Sequence, residues 1–372
     1  MRIGVPKEIK ANEYRVGMTP SSVRELVAHG HELIIERGAG AGIGVGDERF
    51  HSLGARMVDS PAEVFGEADL IVKVKEPQPT EVAMLRPGQI LFTYLHLAAD
   101  ISLACSLAAT GVSGIAYETV TAVDGSLPLL APMSEVAGRL AIQAGARCLE
   151  RACGGMGLLL GGVPGVAPAE VLVIGGGVVG TNAIQMALGL QARVTVLDKS
   201  LTRLRTLEAQ FTGQLNTIFA TRDALEYYTE RADLVIGAVL VPGAAAPKMI
   251  TRDMLSRMKP GAVIVDVAID QGGCAETSRP TTHADPTFIV DNIVHYCVAN
   301  MPGAVPKTSA QALNNATLPF IIKLADEGFR AALTNDPHLR NGLNVFDRKV
   351  THAGVAAAVG VACAPIELAR AA

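Results

Sequence analysis

Short aliphatic runs recur along the chain, separated by stretches whose apolar positions repeat every three or four residues. In the first third, runs at residues 2–6, 32–36, 70–75, 90–96 and 112–117 predict strands. Between them lie amphipathic segments such as residues 20–29, where Thr19 is placed to cap a helix and Pro20 suits its first position. Ser60 and Pro61 open another helix by the same logic. A turn-rich connection over residues 121–130 leads into a long helix from about Ser134 to Cys153. A second alternating series follows, with strands expected at 171–174, 194–197, 216–220, 234–238, 262–267 and 288–294. Helices return at 308–328 and 351–362. Alternating β and α units imply parallel sheets covered by helices. The expectation is an α/β chain of two Rossmann-like, doubly wound parallel-sheet domains separated by a cleft. Residues 1–128 with 308–372 would form a substrate domain, and residues 129–307 a dinucleotide-binding domain, with the last helices packing back on the first.

Composition narrows the class. Hydrophobic residues make up 49% of the 372 and charged residues 18%, so disorder is excluded. The net charge of −4 and the lack of any Lys/Arg cluster argue against a nucleic-acid partner. The longest chargeless stretch, residues 171–192, could span a bilayer by length. It holds Gly175, Gly176, Gly177, Gly180 and Gly189, however, which fit a strand, a tight turn and a helix better. No signal peptide and no membrane span are expected. Six scattered cysteines without a C-x-x-C pair suit a reducing cytoplasm. No motif for a metal stands out among the eight histidines.

One motif carries cofactor chemistry. Strand 171–174 runs into Gly175-Gly176-Gly177-Val178-Val179-Gly180, a G-x-G-x-x-G that opens a helix. Gly175 serves the tight turn, Gly177 lets backbone amides approach a pyrophosphate, and Gly180 lets helix pack on strand. The helix N-terminus favours the anion. The next strand ends at Asp198, eighteen residues beyond Gly180, where a carboxylate can accept both ribose hydroxyls and repel a 2′-phosphate. That favours NAD. Asp198 also reads as a helix cap, and Lys199, Arg203 and Arg205 as a charged helix face.

In parallel sheets ligands bind beyond the carboxyl ends of strands. That rule selects Arg15, Lys75 and His96 in the first half, and Asp270 and Asn300 in the second. A guanidinium clamps a carboxylate, an ammonium polarises a carbonyl, and an imidazole moves protons. Each has a plain alternative. Arg15 reads equally as a solvated loop charge, Lys75 as a strand-end charge with Lys73 on the same face, and His96 as a core histidine. Asp266 competes with Asp270.

These residues resemble a known family. The opening Met1-Arg2-Ile3-Gly4-Val5-Pro6-Lys7-Glu8 with Glu13-Tyr14-Arg15, then Val74-Lys75-Glu76-Pro77 and Tyr94-Leu95-His96, are similar to alanine dehydrogenase. So are residues 270–283 and 296–306, and the likeness covers essentially the whole chain. The resemblance implies NAD-dependent oxidative deamination of L-alanine to pyruvate and ammonia, and the reverse amination. It implies Arg15 and Lys75 on the substrate, and His96 and Asp270 as acid/base residues. Ser134, Val178, Val179, Asp198, Arg203, Val239, Leu240, Val267, Arg279, Val298, Asn300 and Met301 fall where the family contacts NAD or closes over it. It also implies a homohexamer. Ala220 departs from the serine usual in the family near the adenosine. The alternatives are a related amino-acid or 2-oxo-acid dehydrogenase, such as one reducing glyoxylate, and a transhydrogenase-like NAD-binding subunit.

Overall fold

The computed structural model describes residues 1–239 and 246–368. Two compact units divide the chain: residues 1–133 with those from 305 onward form unit 1, and residues 134–304 form unit 2. In chain order unit 1 begins with β1 (Arg2–Val5), β2 (Glu32–Glu36), β3 (Arg56–Val58), β4 (Leu70–Val72), β5 (Ile90–Thr93) and β6 (Ser113–Ala116). Unit 2 holds β7 (Glu170–Ile174), β8 (Arg193–Asp198), β9 (Leu215–Phe219) and β10 (Leu234–Gly237). It continues with β11 (Val263–Asp266), β12 (Thr287–Val290) and β13 (Ile293–Tyr296). Unit 1 is then completed by β14 (Leu343–Phe346) and β15 (Lys349–Val350).

Both sheets follow one plan. Unit 1 is ordered β3-β2-β1-β4-β5-β6, parallel throughout, and β14 and β15 extend its β6 edge antiparallel. Unit 2 is ordered β9-β8-β7-β10-β11-β13, again parallel, with β12 antiparallel at the edge. In each, the chain starts at the centre, winds to one edge and crosses back. Loops after the two central strands therefore leave in opposite directions and open a crevice at the carboxyl ends, between β1 and β4 or between β7 and β10. The strands are aliphatic on both faces because helices cover both. Leu70, Ile71 and Val72 are fully buried, as are Leu234, Val235 and Ile236.

Local chemistry sets the helices. Helix Pro61–Glu67 begins with Pro61 at its first position and a reciprocal capping box between Ser60 and Glu63. Helix Pro306–Glu327 packs on helix Pro20–Ala28, and Asn314 Oδ1 accepts the Thr19 amide at 2.7 Å and the Ser22 hydroxyl at 3.1 Å. No helix among the described residues is long and apolar enough to cross a membrane. The chargeless stretch is β7, a glycine turn and helix Val178–Gly189.

Several expectations need correction. The run 288–294 is the middle of a hairpin: Asp291 and Asn292 adopt φ of 50° and 65°, turning β12 into β13. The long helix spans Ala131–Cys148, and residues 151–153 form a separate 3-10 turn. Thr19 makes no side-chain cap, because its hydroxyl bonds to Ser21 and its amide to Asn314. The last helix shrinks to Ala353–Val359. Strands β3, β14 and β15 escape the pattern because they are short and half polar.

Candidate functional site

In unit 1 the strand-end residues are held by a buried polar framework. The segment after β1 runs past the end of β4 so closely that a Cβ on Gly17 would lie 2.4 Å from the Val72 carbonyl oxygen. That approach brings the Arg15 segment to the crossover. Arg15 is 2% exposed, so it is not a solvated loop charge. Its Nε and Nη2 donate to the two carboxylate oxygens of Glu13 at 2.7 and 2.5 Å, and Nη1 lies 3.1 Å from Met133 Sδ. Such a fork-to-carboxylate pairing fixes the plane of the guanidinium.

Lys75 stands beyond the end of β4, where the strand gives way to a loop, and its carbonyl accepts the Thr93 hydroxyl at 2.9 Å. Lys73 does not share its environment. It is fully buried, donating to Glu8 at 3.1 Å and Glu81 at 2.7 Å. Glu8 also accepts the Val74 amide at 2.7 Å and the Lys75 amide at 3.4 Å, so this triad grips the backbone that carries Lys75. Burial pushes the Glu8 carboxyl up despite the adjacent ammonium. Burial works to lower Lys73, but Glu8 and Glu81 hold it up.

His96 lies past β5 and is 45% exposed at its side chain, so it is not a core histidine. Its φ of 50° is unusual for a residue with a Cβ. Glu118 maintains it by accepting the Leu95 and His96 amides, the latter at 2.6 Å, and its carboxylate lies 4.0 Å from His96 Nδ1. The imidazole stacks parallel to the ring of buried Tyr94, centroids 5.7 Å apart, and the Tyr94 hydroxyl donates to the Leu129 carbonyl. Burial pushes the Tyr94 phenol well up and keeps it neutral. The site thus includes Glu8, Glu13, Lys73, Tyr94 and Glu118, none of which strand-end reasoning finds. The alternation of Val72-Lys73-Val74 in an apolar run was the available signal for a buried charge.

Unit 2 is built from backbone. Gly175 turns at φ 98°, and a Cβ on Gly180 would sit 1.9 Å from the Gly175 oxygen. Above Gly177 there is open space, at the amino end of helix Val178–Gly189. A pyrophosphate fits such a cradle of amide donors. Asp198 accepts the Gly176 amide at 2.7 Å and the Ser200 amide at 2.7 Å, while Ser200 itself caps the following helix. Arg203 is not a free helix-face charge. It donates to the Gly176 carbonyl and to the Thr181 hydroxyl, bracing the glycine turn. Lys199 and Arg205 are exposed. Val239 follows β10, and Leu240 lies outside the described residues.

Strand β11 ends at Asp266, and Asp270 sits on the 3-10 turn Val267–Gln271. The two acids separate cleanly. Asp266 is fully buried, accepting the amides of Ala268, Cys274 and Ala275 and the Ser278 hydroxyl. Asp270 is exposed, and its carboxylate accepts the Asn300 amide at 3.3 Å. Lys248 donates to the carbonyls of Gly272, Gly273 and Ala275, closing the loop behind Asp270. Val298 and Met301 are buried beside Asn300, whose φ is 55°. Arg279 lies over the Phe288 ring at 4.2 Å, and Ser134 is half-buried in the first turn of its helix. Ala220 bonds through its amide to the Asp198 carbonyl. Burial pushes the Cys148 thiol up to about 11 and Cys297 up to about 12, marking inert thiols. Two surface hollows, around Arg37, His51 and Arg56 in unit 1 and around Glu170, Arg193 and Tyr227 in unit 2, contain none of these residues.

The family described as alanine dehydrogenase/PNT, N-terminal domain, matches residues 4–137, and its C-terminal domain matches residues 141–353. The alanine dehydrogenase of Halomonas elongata is 63% identical over 97% of each chain. A solved L-alanine dehydrogenase superposes with a TM-score of 0.94 at 50% identity, covering 97% of this chain and 99% of that one. A transhydrogenase from Sinorhizobium meliloti, at 23% identity and a TM-score of 0.83, shares the fold over 94% of this chain.

Proposed function

The chain belongs to the alanine dehydrogenase family, and from that premise we propose how its own residues carry out the reaction. It is an amino-acid dehydrogenase, catalysing the oxidative deamination of L-alanine to pyruvate and ammonia with a nicotinamide cofactor. NAD is the cofactor of choice, because Asp198 ends β8 with a carboxylate that accepts ribose hydroxyls and opposes a 2′-phosphate. Gly175, Gly177, Val178, Val179 and Gly180 hold the pyrophosphate, and Arg203 stiffens that turn. Ser134, Val239, Leu240, Val267, Arg279, Val298 and Met301 contact or close over the dinucleotide. A bound nicotinamide would supply the hydride acceptor for the substrate Cα.

Arg15, oriented by Glu13, and Lys75, held by the Glu8 grip on its backbone, bind the alanine carboxylate and the carbonyl that develops. Asn300 orients the substrate. Deprotonation of the alanine ammonium, addition of water to the iminium ion and departure of ammonia each require a proton relay. His96 and Asp270 serve these steps, one imidazole and one exposed carboxylate at the ends of β5 and β11. The observation that carries the reading is the placement of Arg15, Lys75 and His96 at the carboxyl ends of β1, β4 and β5, around the crossover of unit 1. The enzyme works in the cytoplasm as a homohexamer. Exposed Leu159, Val163 and Val166 in one stretch of unit 2 support a subunit contact.

The test follows NADH oxidation with pyruvate plus ammonium, then without ammonium, then with glyoxylate. Oxidation strictly dependent on ammonium and fastest with pyruvate is expected. Oxidation that proceeds without ammonium would replace this reading with a 2-oxo-acid reductase.

A further inference from the structure

Unit 1 carries a second cluster of chemically capable side chains, at the amino ends of β1 and β2, away from the carboxyl ends that carry Arg15, Lys75 and His96. Helix Pro20–Ala28 ends at His29-Gly30-His31. Gly30 takes φ 83°, and the amides of Gly30 and His31 return to the carbonyls of Val27 at 2.9 Å and Leu26 at 3.1 Å. This closure sets His29 and His31 on one side of the turn, their rings stacked with centroids 6.3 Å apart. Asp326, in the last turn of helix Pro306–Glu327, faces both. Its Oδ2 lies 2.9 Å from His29 Nδ1 and its Oδ1 2.8 Å from His31 Nε2. The three donor atoms all lie within 4.8 Å of one another, the one such cluster among the described residues.

We propose that His29, His31 and Asp326 bind one divalent transition-metal ion of the zinc class. Two imidazole nitrogens and a carboxylate oxygen are the donors that zinc, nickel and copper take, whereas magnesium and calcium prefer oxygen alone. The ion replaces the protons now shared between ring nitrogens and carboxylate. The two present contacts reach different carboxylate oxygens; coordination through one of them brings donors now within 4.8 Å of one another to the roughly 3.3 Å edges of a tetrahedron with bonds of ~2.0–2.1 Å. Water takes the fourth position. The side chains of His29 and Asp326 are about two-fifths exposed, so the path from solvent is open. On its other side His31 Nδ1 faces the Met1 amino group at 3.3 Å. The ion ties the end of an early helix to the end of the helix that returns from unit 2, and by mass action it stabilises unit 1.

The test uses the untagged full chain stripped with chelator and titrated with zinc chloride, read by calorimetry and by thermal melting. Cobalt(II) in place of zinc reports coordination through its visible spectrum. The wild type should bind an equivalent of zinc that raises its Tm, with no response to magnesium. His29→Ala and Asp326→Asn should each weaken that binding by about tenfold or more and lose the Tm rise. Melting of each variant in chelator shows that it folds, and if Asp326→Asn does not, His29→Ala decides alone. Zinc binding that persists unchanged in His29→Ala, or that disappears instead in His96→Ala, overturns the proposal. So does the absence of saturable binding by the wild type.

Discussion

The crests of the two units share a sheet order and a crossover, yet they present opposite kinds of chemistry. Around its central glycine turn unit 2 offers backbone amides with Asp198 at the edge of the cradle, and its exposed acid Asp270 stands apart, beyond β11. Unit 1 offers charged side chains, each pinned by a buried partner: Arg15 by Glu13, the Lys75 backbone by the Glu8–Lys73–Glu81 triad, and the His96 backbone by Glu118. The contrast follows from the ligands proposed for each. A long dinucleotide brings its own phosphates and needs a smooth surface with donors. A three-carbon amino acid has few handles, so its carboxylate and reacting carbon must be gripped by rigid charges.

Four substitutions test how far that contrast goes. The largest effect should come from Lys73→Met, which leaves Glu8 and Glu81 facing each other without their cation. A loss of about 3–5 kcal/mol is expected in denaturant melts. Adding Glu8→Gln and Glu81→Gln should recover much of it, and a triad that tolerates Lys73→Met alone would mean that unit 1 is not built on buried charge. Next, His96→Ala should lower turnover by about a hundredfold or more, with cofactor binding intact in a fluorescence titration. Near-normal turnover would remove His96 from the proton relay.

In unit 2, Asp198→Arg should move the NADP-to-NAD preference, measured as a ratio of kcat/KM, by about tenfold or more. No movement would mean that Asp198 serves only the glycine turn and the Ser200 amide. The smallest effect concerns His295, which is fully buried, accepting from Thr277 at Nε2 and donating to the Ile293 carbonyl at Nδ1. Burial holds its pKa below the usual histidine value of about 6.5. Its contribution to stability is therefore present above the unfolded pKa and is lost as pH falls through the folded one. His295→Gln should flatten the decline in Tm below pH 6.5 by about 1 kcal/mol or less of stability. An unchanged acid slope would place that decline elsewhere.

The two crests also differ in how far they can be read from the chain. Gly175, Gly177, Gly180 and Asp198 announce themselves because strand, turn, helix and strand follow within thirty residues and each glycine has a local steric reason. Strands such as β2, β7 and β10 were legible for a similar reason, since parallel strands buried on both faces are continuous aliphatic runs. In unit 1 the supporting partners come from afar. Glu8 meets Lys73 across 65 residues, and nothing in either neighbourhood specifies that meeting. Lys73, set between Val72 and Val74, signals a buried charge, but nothing near it names Glu8 as its distant partner. The Asp291-Asn292 turn is a polar pair of turn-forming residues inside the run 288–294, a signal that reading the run as one strand passes over. His29 and His31 look inert for a related reason: their third partner, Asp326, lies on a helix beyond the whole of unit 2.

The antiparallel addition of β14 to β6 has a consequence for how the polypeptide matures. β6 leaves the ribosome long before Leu343–Phe346, and until that segment emerges its edge has no neighbour on that side. Unit 2, by contrast, is one uninterrupted segment and can complete its sheet while the tail of unit 1 is still being synthesised. Unit 1 therefore cannot complete its sheet until all of unit 2 has been made, and the β6 edge stays unpaired in the meantime. During that interval an exposed strand is a template for unwanted pairing. Premature termination anywhere between residues 305 and 343 would leave a chain with a finished dinucleotide fold and an unfinished, aggregation-prone partner.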